Sequence, residues 1–275
     1  MAYLTEPEPS RATSREILPG VWRLTASNPG PMTYHGTNTY LVEEPDGIVV
    51  IDPGPEDADH VDAILAATGA NIVRILLTHA HRDHFGAVAE LRRRTSVPVA
   101  SFHASASPEH EPDIALVDGS RIGLLTAVHT PGHALDHLCF ARADGVLFSG
   151  DHVMGWCTTV VGPPPHGNMV AYFASLQQLI ARSQDRLYLP GHGPALPDPQ
   201  PYVQELLDRR MARERDIEAA VREGLSDPYK IAAFLYQKAN PVLKRAAERN
   251  VLSHLSKLVA EGRVKEAGAD IYVAA

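Results

Sequence analysis

Four side chains that can bind a metal ion lie close together in the stretch His79-Ala80-His81-Arg82-Asp83-His84. The apolar residues 73–77 before this stretch are typical of a buried strand, and residues 85–91 after it are typical of the start of a helix. The four side chains therefore fall on a strand-to-helix turn, where they can point at one position. Imidazole and carboxylate groups suit first-row metals, Zn²⁺ above all. The pattern predicts a metal site.

Other residues of ligand type also follow the ends of predicted strands. His133 comes after the strand-like residues 122–128, Asp151 ends a predicted hairpin, and His192 follows a strand at 187–189. The whole set is too large for one four-coordinate zinc and suits two metals that share a carboxylate and a water. The candidate ligands are His79, His81, Asp83, His84, His133, Asp151 and His192.

The order of predicted elements indicates an α/β fold with two parts. A β-meander over residues 21–51 is followed by alternating strands and helices, which favours two sheets packed face to face with helices outside. After Pro201, three predicted helices precede two short strands, which is the order of a winged helix. We predict a loose leader over 1–15, a catalytic domain over 16–200 and a winged-helix-like domain over 201–275. The three tail helices are predicted at 202–224, 229–237 and 240–260, and the two strands near 263–266 and 270–274.

Composition narrows the class of protein. The 275 residues are 44% hydrophobic and 21% charged with a net charge of -8, which argues against an obvious nucleic-acid surface. No apolar run reaches the length of about 18 residues that a membrane span needs. The first 14 residues lack the apolar segment of a secretory signal, and two cysteines are too few for a disulfide framework. A cytoplasmic location without membrane contact is the expectation.

The ordered motifs resemble those of the metallo-β-lactamase-fold hydrolases over about residues 20–195. The similarity is closer to the β-lactamase-like protein 2 group, because of residues 28–31 and 36–41, Gly155, residues 158–160 and the tail. The resemblance implies a four-layer αββα sandwich. It also implies that His79, His81 and His133 hold one metal, that Asp83, His84 and His192 hold the second, and that Asp151 bridges them. The motifs are His79-x-His81-x-Asp83-His84, Pro131-Gly132-His133, Gly150-Asp151 and Gly191-His192-Gly193.

These observations predict a dinuclear zinc hydrolase that uses a metal-bridging hydroxide, with Fe or Mn as other candidate metals. Two Zn²⁺ ions would lower the pKa of the water toward neutrality, and Asp83 would orient the hydroxide. We expect a small-molecule substrate with an ester, thioester or lactone bond. Because relatives of the group cleave single-stranded RNA, a metal-dependent endoribonuclease is the first alternative. Residues 201–275 carry a charge of +2 and the rest -10, so the catalytic part attracts RNA poorly.

Two alternatives belong to other classes. A mononuclear iron persulfide dioxygenase has a similar motif set, and metal analysis would identify it. A DNA-binding regulator could use the tail as a winged helix. In the tail, however, Arg209, Arg210, Arg213 and Arg215 alternate with acidic residues, which favours a solvated helix with pairs four residues apart.

Weaker candidates surround the predicted ligands. Asp52 ends a strand and could hydrogen-bond a ligand imidazole, and His137 could act from the same second layer. Asn38 and Thr159 could donate hydrogen bonds to a substrate. The apolar stripe in the last predicted helix must be buried. We therefore expect residues 201–275 to dock on the metal domain, close one wall of the cleft and add contacts of a homodimer.

Overall fold

The computed structural model describes residues 2–69, 71–237 and 241–275, where two large β-sheets pack face to face. The first sheet follows chain order. Its first four strands form an antiparallel meander, and the fourth to seventh strands run parallel. Its seven strands are β1 (Arg15–Leu18), β2 (Val21–Thr25), β3 (Asn38–Glu44), β4 (Gly47–Ile51), β5 (Ile72–Leu76), β6 (Val99–Phe102) and β7 (Ile114–Leu116).

The second sheet supplies the other half of the sandwich. Its strands are β8 (Arg121–Ile122), β9 (Leu125–His129), β10 (Leu138–Arg142), β11 (Val146–Gly150), β12 (Leu187–Pro190) and β13 (Leu196–Pro197). They lie in the order β13-β12-β11-β10-β9-β8. All neighbours are antiparallel except β11 and β12, which run parallel.

Helices cover both outer faces, which confirms the predicted αββα sandwich. The helices are α1 (Ala58–Thr68), α2 (Arg82–Phe85), α3 (Val88–Thr95), α4 (Met169–Ile180) and α5 (Pro199–Arg222). Helices α1 and α3 pack on the first sheet through Val61, Ile64 and Leu91. Helix α4 and the first half of α5 pack on the second sheet through Leu176 and Leu206.

The strand sequences are nearly continuous apolar runs because both faces of each sheet are buried. In β10, Leu138 and Phe140 face the core between the sheets. Cys139 and Ala141, which alternate with them, face the helices instead. This alternation of two follows from the pleat of a strand and decides which residues face each core.

The helix starts follow capping signals in the sequence. The side chain of Asp57 accepts hydrogen bonds from the first backbone amides of α1, and Asn168 does the same for α4. Gly69 ends α1 in the left-handed conformation, with φ of 57°. These local signals define where α1 and α4 begin and where α1 ends.

The predicted helix after the metal stretch is divided in two, which corrects the expectation of one continuous helix. Helix α2 ends at Phe85 and α3 begins at Val88. The loop at Gly54 lies against the break, accepting from Ala87 N and donating to His84 O. A Cβ on Gly86 would lie 2.6 Å from Glu56 N, so the close approach requires glycine. The short strands β1, β7 and β13 were not predicted from the sequence.

The tail has the element order that was predicted for a winged helix. After α5 come α6 (Pro228–Leu235), a 3₁₀ turn (Pro241–Leu243), α7 (Lys244–Ala260), β14 (Val264–Gly268) and β15 (Ile271–Ala274). Asn240, predicted to open the last helix, lies outside the described residues. The tail core joins Ile217, Ile231, Leu255 and Val264, so the apolar stripe is buried as expected. Among the residues described, no helix has the length and apolarity required to cross a bilayer.

Helix α5 is solvated on one side, with pairs four residues apart as its charges predicted, but it also buries some of its charged residues. Arg209 pairs with Glu205 on the exposed side at 2.9 Å. Arg210 and Glu214, however, are only 5% and 4% exposed. Glu214 accepts from Lys257 and Arg263 at 2.8 Å each, so the charges bind the tail together internally. These buried pairs do not form a basic surface for nucleic acid.

The predicted boundaries remain predictions, although the leader is more ordered than expected. Residues 2–14 form no helix or strand, yet Glu6 pairs with the buried Arg23 at 2.8 Å and Leu4 packs on the core of the second sheet. Residues 2–14 are therefore held against the rest of the protein and are not a loose leader. A boundary at residue 200 would fall at the start of α5, whose two halves belong to different hydrophobic cores.

The core between the sheets gives a stability prediction. Phe140 is fully buried there, so Phe140→Ala should lower the free energy of unfolding by about 3–5 kcal/mol through lost burial and the cavity left behind. Phe234→Ala is the matched control, because that ring is 51% exposed. Urea unfolding followed by circular dichroism measures both. Equal losses for the two variants would contradict the assigned core.

Candidate metal centre

The seven predicted ligands converge at one edge of the sandwich, where strands from both sheets end. His79 follows β5, Asp151 follows β11, and His192 follows β12. The backbone must approach closely to bring them together. A Cβ on Gly191 would lie 2.6 Å from both Asp151 Oδ1 and His84 Cε1. Only glycine leaves room there for both side chains.

Three histidines form the first group of donor atoms. His81 Nδ1 lies 2.9 Å from His79 Nε2 and 3.0 Å from His133 Nε2. The three ligand atoms lie within 4.8 Å of one another. Spacings of this size suit donors about 2.0–2.1 Å from one ion. This is the group that the resemblance implies for the first metal.

The second group contains Asp83, His84 and His192, and Asp151 lies between the two groups. Asp83 Oδ2 is 3.3 Å from His192 Nε2 and 3.8 Å from His84 Nε2. Asp151 Oδ1 is 3.5 Å from both of those imidazole nitrogens, while its Oδ2 is 3.7 Å from His133 Nε2. One oxygen of the carboxylate therefore faces each group, as a bridging ligand would.

Hydrogen bonds fix which nitrogen of each imidazole faces the centre. The Nδ1 atom of His84 donates to Asp52 Oδ2 at 2.8 Å, and that of His133 donates to Val160 O at 2.8 Å. His192 Nδ1 donates to Gly36 O at 3.3 Å. When these imidazoles are neutral, as metal ligands are, the opposite Nε2 atoms carry the lone pairs. Among the described residues, His84 Nε2, His192 Nε2 and Asp151 Oδ1 are buried without a hydrogen-bond partner. Buried atoms of this kind fit a bound cation.

The pKa shifts show that the centre favours positive charge. Burial lowers the pKa of His192, but the charge of Asp151 outweighs it and raises the pKa to about 9. The pKa of His84 is raised well above its usual value for the same reason. Burial opposes ionisation of Asp151, yet the charges of His192 and His84 hold its pKa well below the usual range. The ionised carboxylate of Asp151 thus lies in a buried space, where a divalent cation would neutralise its charge.

Two of the weaker candidates contact the predicted ligands from behind. Asp52 accepts from His84 Nδ1 and also from Thr78 N and Thr78 Oγ1, at 2.8 and 2.7 Å. Thr78 Oγ1 in turn accepts from His79 Nδ1 at 3.0 Å. His137 Nε2 accepts from Asp151 N at 3.2 Å. Asp52 therefore orients the imidazole of His84 directly and that of His79 through Thr78, and His137 holds the backbone of Asp151.

The suggested contact of Asn38 and Thr159 with a substrate is wrong. Both are almost completely buried, at 1% and 0% exposure. Asn38 Nδ2 donates to the carbonyls of Pro190 and Gly193, which flank His192. Thr159 Oγ1 donates to Asp151 O at 2.6 Å. Each hydroxyl or amide is thus occupied by a backbone carbonyl and shapes a ligand loop.

The tail contacts the loop that holds His133, a connection that sequence analysis missed. Val160 O accepts from His133, and the residues on either side of Val160 are held by the tail. Val161 N donates to Asn250 Oδ1 at 3.1 Å, and Arg210 donates to Thr159 O. Most of these acceptors are backbone carbonyls, which leave no signal in a sequence.

A cleft of about 340 Å³ opens beside the centre, and the tail forms one of its walls. His81, His133 and Asp151 line its floor. The expected docking of residues 201–275 on the metal domain, with one wall of the cleft supplied by the tail, is confirmed. The other lining residues are Met32, Val160, Gly162 and His166 from the sandwich and Val242, Arg245, Ala246 and Arg249 from the tail.

The αββα sandwich with histidines and aspartates at one sheet edge defines a class of metal-binding enzymes. The sequence profile of the metallo-beta-lactamase superfamily matches residues 32–114 and 102–192, and that of the beta-lactamase associated winged helix domain matches 228–271. The chain belongs to the metallo-beta-lactamase superfamily. It is accordingly a metal-dependent hydrolase, as the sequence predicted.

Relatives span almost the whole chain. The beta-lactamase-like protein 2 homolog of Drosophila melanogaster is 30% identical, over 94% of this chain and 97% of that protein. This similarity confirms the predicted group. The atrochrysone carboxyl ACP thioesterase of Aspergillus chevalieri is 35% identical, over 76% of this chain and 68% of that protein.

Solved structures show the same fold. A beta-lactamase domain protein from Burkholderia ambifaria has a TM-score of 0.85 at 22% identity, covering 97% of this chain and 95% of that one. The structure of TTHA1623 in a di-iron-bound form has a TM-score of 0.54 at 31% identity, covering 66% of this chain and 96% of that one. The first comparison includes the tail, and the second is limited to part of the chain.

The contacts of Asp52 give a prediction about metal affinity. In Asp52→Asn one acceptor and the negative charge behind His84 are lost, so we expect affinity for the metal to fall about 10–100-fold. Competition with a chromogenic chelator measures the affinity, and circular dichroism checks the fold. Asp59→Asn is the matched control, because Asp59 is exposed on α1. An unchanged affinity in Asp52→Asn would remove Asp52 from the supporting layer.

Proposed function

We propose that the chain is a dinuclear metal hydrolase that cleaves a carbonyl ester bond, with a small-molecule thioester as the preferred substrate. The observation that carries the proposal is the bridging position of Asp151, whose oxygens face two separate donor groups. The similarity to a fungal protein named as an ACP thioesterase favours the thioester over the lactone. A thiolate also leaves more readily than an alkoxide, because a thiol has a pKa of about 8.5.

Two metals would be held in this arrangement, Zn²⁺ first because it prefers imidazole and carboxylate ligands. His79, His81 and His133 would hold one, Asp83, His84 and His192 the other, and Asp151 would bridge them. When bound, the metals supply Lewis acidity and a hydroxide nucleophile at neutral pH. Iron is the other candidate, since the similar structure of TTHA1623 is di-iron-bound.

The protein's own part in the reaction is orientation. Burial opposes ionisation of Asp83, but the charges of His84 and His192 hold its pKa below the usual range, so it is a hydrogen-bond acceptor at neutral pH. Its side chain is 33% exposed, enough for Oδ2 to accept from an attacking water. The water oxygen adds to the carbonyl carbon and loses one proton to solvent. The carbon–sulfur bond then breaks, the thiolate departs into solvent, and the acyl group leaves as the carboxylic acid.

The lining of the cleft favours direct attack by water. None of the described residues that line it is Ser, Thr or Cys. A covalent acyl-enzyme therefore has no hydroxyl or thiol nucleophile in this cleft. The side chains that line the floor are the imidazoles and the carboxylate of the metal centre.

The test of the proposal is hydrolysis of a substrate panel by protein of known metal content. The panel contains acyl thioesters, lactones, β-lactams and short single-stranded RNA. We expect close to two metals per chain and the highest kcat/KM with a thioester. Cleavage of RNA alone would assign the endoribonuclease alternative. A single tightly held iron without hydrolysis of any ester would assign the persulfide dioxygenase alternative.

Asp83 gives the sharpest single-residue prediction. Asp83→Ala should lower kcat by about 10²-fold or more, because both a metal ligand and the acceptor for the attacking water are lost. The fold should remain intact, as measured by circular dichroism. Asp59→Ala, on the exposed side of α1, is the matched control. Near-normal turnover in Asp83→Ala would mean that another carboxylate has this role.

A further inference from the structure

Two arginines of the tail line the same cleft as the metal centre. Arg245 and Arg249 lie one turn apart on α7, so both side chains are on one face of that helix. They line the cleft together with His81, His133 and Asp151. A substrate bound at the metal centre would therefore have two guanidinium groups beside it.

Both guanidinium groups lack a polar partner among the described residues. No carboxylate of those residues lies within 4.0 Å of Arg245 or Arg249, and neither side chain makes a hydrogen bond to them. Other arginines of the tail have polar partners. Examples are Arg210 and Arg222 on α5 and Arg263 after α7. Like charges four residues apart on a helix repel each other. Both side chains are exposed, and this pair of like charges weakens α7 slightly instead of stabilising it.

The opposite wall is shaped to admit one of these side chains. A Cβ on Gly162 would lie 2.4 Å from Arg249 Nη2 and 3.3 Å from its Nε. Arg249 atoms are the nearest contacts of that hypothetical Cβ, and the φ angle of Gly162 is ordinary. Glycine at position 162 therefore leaves space for the guanidinium of Arg249. Its backbone conformation does not itself require glycine. Gly162 lies two residues after Val160, whose carbonyl accepts from His133.

From these contacts we propose that Arg245 and Arg249 form an anion-binding subsite for a phosphate or carboxylate group of the substrate. The inference rests on the proposed thioester hydrolysis. Guanidinium groups present paired N–H donors that match the oxygens of carboxylate and phosphate. Two of them suit a dianionic phosphate best. The substrate class is then an acyl thioester with an anionic group located away from the bond that is cleaved.

The position of the subsite explains how a short tail contributes to specificity. The metal ligands would act on the reacting carbonyl alone, which all thioesters share. A second contact at a fixed distance selects those substrates whose charged group reaches α7 while the carbonyl is at the centre. The cleft is small, about 340 Å³, so it suits a small anionic substrate better than a folded nucleic acid.

Matched substrate pairs test the proposal. S-acyl-4′-phosphopantetheine and S-acyl-pantetheine differ only in a phosphate on the thiol side. Succinyl and butyryl thioesters of pantetheine differ in a carboxylate on the acyl side. We expect the protein to prefer the charged member of one pair by about 10-fold or more in kcat/KM, and that pair identifies the side that carries the anion. In Arg245→Gln/Arg249→Gln the preference should fall to near one.

Control variants separate charge from structure. Arg215→Gln removes an exposed arginine of α5 and should keep the preference. Arg245→Lys/Arg249→Lys keeps the charge but loses the paired donors, so the preference should be intermediate. Gly162→Ala should reduce the preference by displacing Arg249 while its charge is kept. Circular dichroism and metal content are measured for each variant.

The outcomes are distinct. Hydrolysis of the neutral thioesters without a preference for either charged partner, or with a preference that survives the double Gln variant, overturns the subsite and leaves the proposed function standing. If no thioester is hydrolysed, the proposed function itself fails and the subsite fails with it. A third outcome is that the protein shows no preference among thioesters, but a single-stranded oligonucleotide inhibits it and this inhibition is lost in the double Gln variant. The two arginines would then bind RNA, and the proposed subsite would be wrong.

Discussion

The carboxylate of Asp151 can be buried only where positive charge surrounds it, and much of the site follows from this constraint. His84 and His192 lie on one side of it and His133 on the other. Each of these imidazoles needs an acceptor behind it, supplied by Asp52, Gly36 O and Val160 O. Loops from both sheets must therefore end at the same edge of the sandwich.

The tail is part of this arrangement rather than a separate attachment. Its Asn250 and Arg210 hold the backbone on either side of Val160, the acceptor for His133. Its helix α7 also lines the cleft. A displacement of the tail would thus affect the orientation of a predicted metal ligand as well as the shape of the cleft. The winged-helix fold serves here as a wall of the cleft beside the candidate metal centre.

A candidate site can be predicted from sequence most readily where several side chains of suitable chemistry lie close together in the chain. The His79–His84 stretch could be recognised because several ligands share one turn. Asn38 and Thr159 were misjudged because a polar side chain near a site gives the same signal whether it contacts substrate or a backbone carbonyl. The division between α2 and α3 arises from a loop distant in sequence, and the roles of Val160 and Gly36 belong to carbonyl groups. Such contacts become visible only in three dimensions.

Helix α5 has a consequence for how the molecule melts. Its first half contributes Val203 and Leu206 to the core of the second sheet, and its second half contributes Ile217 and Val221 to the core of the tail. Helix formation is cooperative along the chain, so neither half unwinds without loss to the other. Heating is therefore expected to disrupt both cores in a single calorimetric transition. A polypeptide ending at residue 200 would expose the apolar surface that α5 covers, and aggregation would follow.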